Sequence, residues 1–257
     1  MTNVTLDTKD LEERVKRMYR DVAVHPEQEF HFETGRALAE RLGYPPAELD
    51  AIPGGAIESF AGVGYFLDLA AIGAGETVVD LGSGSGMDSF LAARHAGDSG
   101  RVIGVDVTDE QLDKSTRLAA EAGVRNVEFR RAYIEEAPVA DGSADVVISN
   151  GVFNLAPDKE AVFREVARLL RPGGRLALAD IVTDSRLPDG IKCDAALWAS
   201  CIGGAMQIDG YRAAIEQAGL AIETVRPNDQ YRFLSDSAVG ASKEWGVKSI
   251  SLLARKA

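Results

Sequence analysis

The sequence predicts an α/β fold: a mostly parallel sheet of seven strands with an antiparallel last strand, helices on both faces and a helical cap at the N-terminus. Three observations carry this. From Glu76 onward, short β-branched runs alternate with amphipathic helical segments, the pattern of a doubly wound sheet. A glycine-rich loop, "GSGSG" at 82–86, joins the first such run to the first such helix. The last two apolar runs follow one another across a polar loop containing Pro227, with no helix between them, which makes them an antiparallel pair.

The elements follow in order. Asp7 to Val24 places Leu11, Val15, Met18, Tyr19 and Val22 at helical spacing, with charges on the other face. A second helix runs from about Glu33 to Leu42 and stops at Gly43 and the prolines after it. "PAELDAIPGGAIESFAGVGYF" reads as a short helix and a glycine-rich loop, and up to about Ile72 nothing has the pattern of a strand. Residues 1–72 are therefore expected to form the cap, and 73–257 the sheet domain. Strands are expected at 77–81, 101–106, 126–132, 144–150, 175–180, 220–226 and 247–256. Helices are expected at Met87–Ala96, 108–123, 157–174 and 209–219. In the second of these, Thr108 and Gln111 form a capping box and Gly123 ends the helix. In the third, Pro157 sits near the first turn, and Val162, Phe163, Val166, Leu169 and Leu170 form the buried face.

Composition narrows the function. The 257 residues are 46% hydrophobic, enough for one large domain or a domain with an extension. No apolar run approaches the roughly 18 residues of a membrane span, and the charged N-terminus lacks a signal peptide's apolar stretch. A cytoplasmic protein is the expectation. A net charge of −12 repels nucleic-acid phosphates and anionic membranes, so the expected partner is a small molecule, with no nucleic acid and no membrane. The two cysteines, Cys193 and Cys201, form neither a disulfide framework nor a zinc signature. On one helix they would stand about 12 Å apart, too far to share an ion. No metal site is expected, and the oligomeric state is not legible.

The stretch "VVDLGSGSGMD" (78–88) sits where ligands bind in doubly wound sheets, beyond the carboxyl end of the first strand. Asp80 precedes the glycines, and Asp106 ends the second strand 20 residues after Gly86, where an acid accepts both hydrogen bonds of a ribose diol. Met87 stands where the dinucleotide fingerprint needs its third glycine, which argues against a nicotinamide enzyme. The D-x-G-x-G-x-G pattern instead resembles the first motif of class I S-adenosylmethionine-dependent methyltransferases, whose Rossmann-like fold also ends in an antiparallel strand. The resemblance implies S-adenosyl-L-methionine as cofactor. It implies that Gly82, Ser83 and Gly84 contact the methionyl part, with Asp88 beside them. Asp106 would hold the ribose, flanked by Val107 and Thr108, and Ile134 and Glu135 would edge the adenine. Asn150 would face the methyl region, although a strand-end cap is its plainer reading; Glu135 is otherwise a solvated helix-start acid.

"VIGVDVTDEQLDKS", "SNGVFNLAPDKEAVFREVARLLRPGG" and "LWASCIGGA" resemble arsenite methyltransferases of the microbial type, over roughly residues 75–220. The "VKRMY" of the first helix fits as well, and would bring Tyr19 over the cofactor. The departures are chemical. Those enzymes hold trivalent arsenic with cysteine thiolates, because soft As(III) prefers sulfur. Where the resemblance implies two of these cysteines, this chain has Val63 and Gly151; only Cys201 remains. One thiol makes no arsenic cage, so an altered acceptor is expected.

A thiol, sulfide or similar soft nucleophile is the acceptor favoured, since in-line attack by an anion needs no strong base. Cys201, Asn154 and Tyr19 are the candidate catalytic residues. Cys201 either contacts the acceptor or is a small buried hydrophobe. Phe153 and Asn154 are expected on the loop facing the acceptor, with Trp198, Met206 and Tyr65 as candidate apolar walls. An O-, N- or C-methyltransferase is the second reading, with Glu29, His25 and His31 as candidate bases. Arsenite methylation despite the missing cysteines and a non-catalytic cofactor sensor complete the set.

Overall fold

The computed structural model describes residues 8–188, 191 and 202–257. Five helices come first: α1 (Thr8–Val24), α2 (Arg36–Leu42), α3 (Pro46–Leu49), α4 (Gly54–Glu58) and α5 (Leu67–Ala70). β1 (Thr77–Leu81), α6 (Met87–Ala96), β2 (Arg101–Asp106), α7 (Asp109–Ala122) and β3 (Val127–Arg131) build one half of the sheet. β4 (Ala144–Asn150), α8 (Lys159–Leu169) and β5 (Leu170–Thr183) begin the other. β6 (Met206–Gln207), α9 (Ile208–Gln217), β7 (Leu220–Pro227), α10 (Asp236–Trp245) and β8 (Lys248–Lys256) finish it.

The sheet runs β3-β2-β1-β4-β5-β8-β7. β1 to β5 pair in parallel, and β8 lies antiparallel to both of its neighbours. The seven expected strands and the antiparallel last strand are all present. Two-residue β6 adds to the end of β5. Side chains alternate across the sheet, so neighbours along β1 and β4 enter different cores. Val78 and Val146 join Leu38, Leu49, Phe66 and Phe90 on one face. Val79 and Val147 join Phe163 and Tyr211 on the other, where the rings of Phe153, Phe163 and Tyr211 meet edge to face. Among the described residues no helix is long and apolar enough to cross a membrane.

Three local readings change. The connection between β7 and β8 contains helix α10: Ser235 accepts from the Ala238 N–H at its start, and Gly246 closes it in the left-handed region. Helix α8 stops at Leu169 rather than running to 174, because Pro172 lacks the amide a helix needs there, and the chain continues directly as β5. Pro157 lies just outside that helix, whose cap is Asp158, accepting from the Ala161 N–H at 2.8 Å. Thr108 does cap α7 by position, yet its side chain makes no cap bond. Gln111, its expected partner in the box, is engaged elsewhere.

Candidate active site

The loop after β1 is shaped by its glycines. The Gly82 and Ser83 N–H groups both donate to the Val105 carbonyl, folding the loop over the end of β2. Gly82 has φ +79°, and a Cβ there would lie 2.3 Å from Val152, so any side chain strains the loop. Asp106 then ties the loop to the next strand end. One carboxylate oxygen accepts from the Gly84 N–H at 2.9 Å, the other from the Thr108 N–H at 2.9 Å.

Beyond these strand ends lies a cavity of about 500 Å³. All eleven residues expected at the cofactor line it. Asp80, Gly82, Ser83, Gly84 and Asp88 come from β1 and the loop; Asp106, Val107 and Thr108 follow β2; Ile134 and Glu135 follow β3; Asn150 ends β4. Tyr19 lines it too, on the face of α1 that carries Leu11 and Val15.

Other expected residues do not come here. Asn154 is wholly buried behind the wall: the chain turns through a short 3-10 helix, Phe153–Leu155, which sends the Asn154 N–H to Asp180 in β5 at 3.3 Å. Phe153 packs on Phe163 instead of facing the cavity. Glu29, His25 and His31 lie off the cavity wall. His31 stands edge-on to Phe32, and His25 is 3.5 Å from Glu27. Tyr65 packs edge-on against Tyr44, and Met206 lines a separate cavity beyond Pro157. Cys193, Trp198 and Cys201 lie outside the described residues.

Several contacts were not visible in the sequence. Gln111 donates to the Tyr19 carbonyl at 2.8 Å and accepts from Ser85 Oγ at 2.5 Å, tying α1 to the glycine loop. Tyr44 donates to Asp88 Oδ1 at 2.6 Å, and Asn150 Nδ2 lies 3.0 Å from Asp88 Oδ2. Asn150 also accepts from the Val63 N–H at 2.8 Å, fastening the 61–65 loop as a roof. Ser249 and Ser251 of β8 donate to the carbonyls of Val63 and Tyr65, at 2.6 and 2.9 Å. Tyr133, in the cavity wall, donates to Glu12 of α1 and sits under the Lys16 ammonium at 5.1 Å. Their partners lie far apart in the chain, and no local pattern encodes them.

The electrostatics point to a cation. Burial, reinforced by the charges of Asp88 and Asp106, pushes the Asp80 carboxyl from an ordinary 3.8 to about 8, against the Ser89 hydroxyl that donates to it at 2.5 Å. Burial raises Asp88 to about 6 despite the hydrogen bonds from Tyr44 and Asn150. Asp106 and Glu135 are also shifted upward by burial. Two buried carboxyls and two half-buried ones around one cavity are thus short of positive charge. The buried Ser83 hydroxyl there has no protein partner among the described residues. Acids for an ammonium and a sulfonium, a carboxylate at a strand end for a ribose diol, and backbone amides in a glycine loop fit S-adenosylmethionine.

Val63 and Gly151 prove to be neighbours. A Cβ placed on Gly151, at φ +72°, would lie 3.1 Å from Val63 Cγ1. The two positions where the resemblance implies thiolates thus meet across an apolar contact.

Comparison with known proteins decides the family. The methyltransferase domain family matches residues 72–219, more than half of the chain. The chain belongs to that family. Its Rossmann-like sheet and its S-adenosylmethionine cofactor are as the sequence led us to expect. An arsenite methyltransferase of Halobacterium salinarum is 43% identical over 205 residues, 79% of this chain and 52% of that one. The chain spans about half the length of the curated relatives it matches. A crystal structure of an arsenic(III) S-adenosylmethionine methyltransferase from Chlamydomonas reinhardtii superposes with a TM-score of 0.64 at 29% identity, covering 87% of this chain and 74% of that one. A geranyl diphosphate C-methyltransferase from Streptomyces coelicolor, 18% identical, shares the fold over 98% of this chain and 100% of its own, with a TM-score of 0.71.

Proposed function

We propose that this protein transfers the methyl group of S-adenosylmethionine to a small thiol, sulfide or related soft nucleophile. The observation that carries the reading is the buried pair of carboxyls, Asp80 and Asp88, with the half-buried Asp106, around a glycine-walled cavity. Asp106 accepts from the ribose diol while its backbone bonds keep it aimed. Gly82 to Gly84 and the two upstream acids receive the methionyl part. Ile134 and Glu135 border the adenine, and Asn150 holds the roof over the methyl region. Residues 1–72 act as the cap, with Tyr19 closing over the cofactor. When bound, the cofactor supplies a methyl group on a sulfonium. The chain's part is to hold the acceptor in line with that methyl and to exclude water.

Two features support a soft acceptor. The Val63–Gly151 contact is apolar where an arsenic cage needs sulfur. The histidines of the N-terminal segment stand off the cavity, which counts against an alcohol that needs a strong base. Arsenite methylation is the second reading, favoured by the 43% identity. We place the protein in the cytoplasm, where its cofactor is made, with a small molecule rather than nucleic acid or membrane as partner.

The test uses methyl-labelled S-adenosylmethionine in sealed vials with sulfide, methanethiol, arsenite or methylarsenite. Labelled volatile sulfide product is the expected result. Methylated arsenic would overturn the argument from Val63 and Gly151. Turnover in no vial would move the acceptor to a larger metabolite.

A further inference from the structure

Lys159 is in an expensive place. It is the first residue of α8, so its cation faces the positive end of the helix dipole, and it is 5% exposed. Its Nζ donates to the carbonyls of Asn154 at 3.2 Å and Ala156 at 3.0 Å. The same turn is gripped from β5, where Asp180 accepts from the Asn154 N–H at 3.3 Å and from the Tyr211 hydroxyl at 2.8 Å. The other side of this turn is cavity wall: Leu155, Ala156 and Pro157 line it together with Ile134 and Glu135.

We infer that Lys159 is a positioning residue for the nucleoside end of the cavity, its ammonium fixing the turn that walls that end. The inference rests on the cofactor reading above, because it assumes that a nucleoside lies against Ile134 and Glu135. Lys159 touches no ligand itself; it acts through the carbonyls of Asn154 and Ala156.

The ammonium also titrates where it can be watched. Burial pulls it from 10.5 down to about 8, against the charges of Asp180 in β5, Glu135 after β3 and Asp158 at the helix cap. Arg186 and Glu160 share its outer cavity. Asp180, itself raised to about 6 by burial, is ionised well before Lys159 loses its proton. Between neutral pH and about pH 9.5 the staple therefore loses its charge, and the turn loosens.

The probe is 5′-methylthioadenosine, which carries the nucleoside thioether and has no amino-acid part to titrate. Its affinity is measured by calorimetry from pH 7 to pH 9.5, with a thermal melt of each variant. We expect K159M to bind about tenfold more weakly at pH 7, the worth of a charge-assisted hydrogen bond or two. Wild type should lose roughly threefold or more as pH rises, and K159R should restore binding and hold it flat. Wild-type affinity in K159M, or a flat wild-type profile, overturns the role. Equal loss in K159M and K159R, with no pH dependence, makes Lys159 a structural residue only. If K159M does not fold, the wild-type and K159R profiles decide. Should wild type bind neither this probe nor S-adenosylmethionine, the cofactor reading itself has failed.

Discussion

Replacing Asp80 with asparagine should strengthen the fold and weaken the site. Asp80 is 2% exposed, accepts one hydroxyl hydrogen bond and is repelled by Asp88 and Asp106. Its carboxyl is raised from 3.8 to about 8 in the folded protein. Between those values the native state holds a proton that the unfolded state has lost, so stability falls as pH rises through the window. At 1.36 kcal/mol per unit the ceiling at pH 7 is roughly 4 kcal/mol, and relaxation around a buried carboxyl brings the expected gain of Asp80→Asn to about 2 kcal/mol. For a chain of this size that is a rise in Tm of roughly 4–8 °C. The difference should shrink to nothing below about pH 4. Cofactor binding moves the other way. The free carboxyl is mostly protonated at pH 7, and a cationic ligand expels that proton. S-adenosylmethionine affinity should therefore climb several-fold per unit from pH 6 to pH 8, and Asp80→Asn should lose about tenfold or more at pH 8. Circular-dichroism melts at several pH values and calorimetry in two buffers of different ionisation enthalpy measure both effects. A variant less stable than wild type at pH 8, or one with unchanged affinity and proton release, would refute the reasoning.

Other outcomes follow from the same geometry. Asp106→Ala should weaken S-adenosylmethionine about 100-fold by calorimetry, through lost bonds to a charged acceptor, while secondary structure stays intact. Gly82→Ala combines a left-handed backbone with a 2.3 Å overlap on Val152, so it should cost about 3 kcal/mol by urea unfolding; adding Val152→Ala should recover part of that. Gln111→Leu removes the tie to the Tyr19 carbonyl, and should speed proteolytic cleavage within α1 several-fold while barely moving the global melt.

The sheet was legible because β1, β2 and β4 are short runs rich in β-branched residues that close on a glycine turn, an acid or an asparagine. Gly82 and Asp106 were legible because their chemistry is local, a few residues from a strand end. Asn154 was misjudged for the opposite reason. It sits four residues past Asn150, but one 3-10 turn sends it to the opposite side of the wall. Helix α10 hid in "DSAVGASKEW", where Gly240 and the serines blur the apolar period, and its stop at Gly246 marks a boundary without naming the element. Gln111 matched a capping box by spacing, yet Tyr19 and Ser85 compete for its amide and prevail. Contacts such as Tyr44 with Asp88 are set by packing between distant segments, and no window of sequence contains them.

The roof loop also carries a consequence for synthesis. Its carbonyls at Val63 and Tyr65 are fastened by Ser249 and Ser251, each 186 positions further along the chain. Links of such separation close late, after the nearer strands have paired. A ribosome that has made α1 to β5 has therefore built the acids and the glycine loop, with the lintel above them held from one side, by Asn150. Only when β8 has emerged and slid between β5 and β7 is the roof loop fastened from its far side as well.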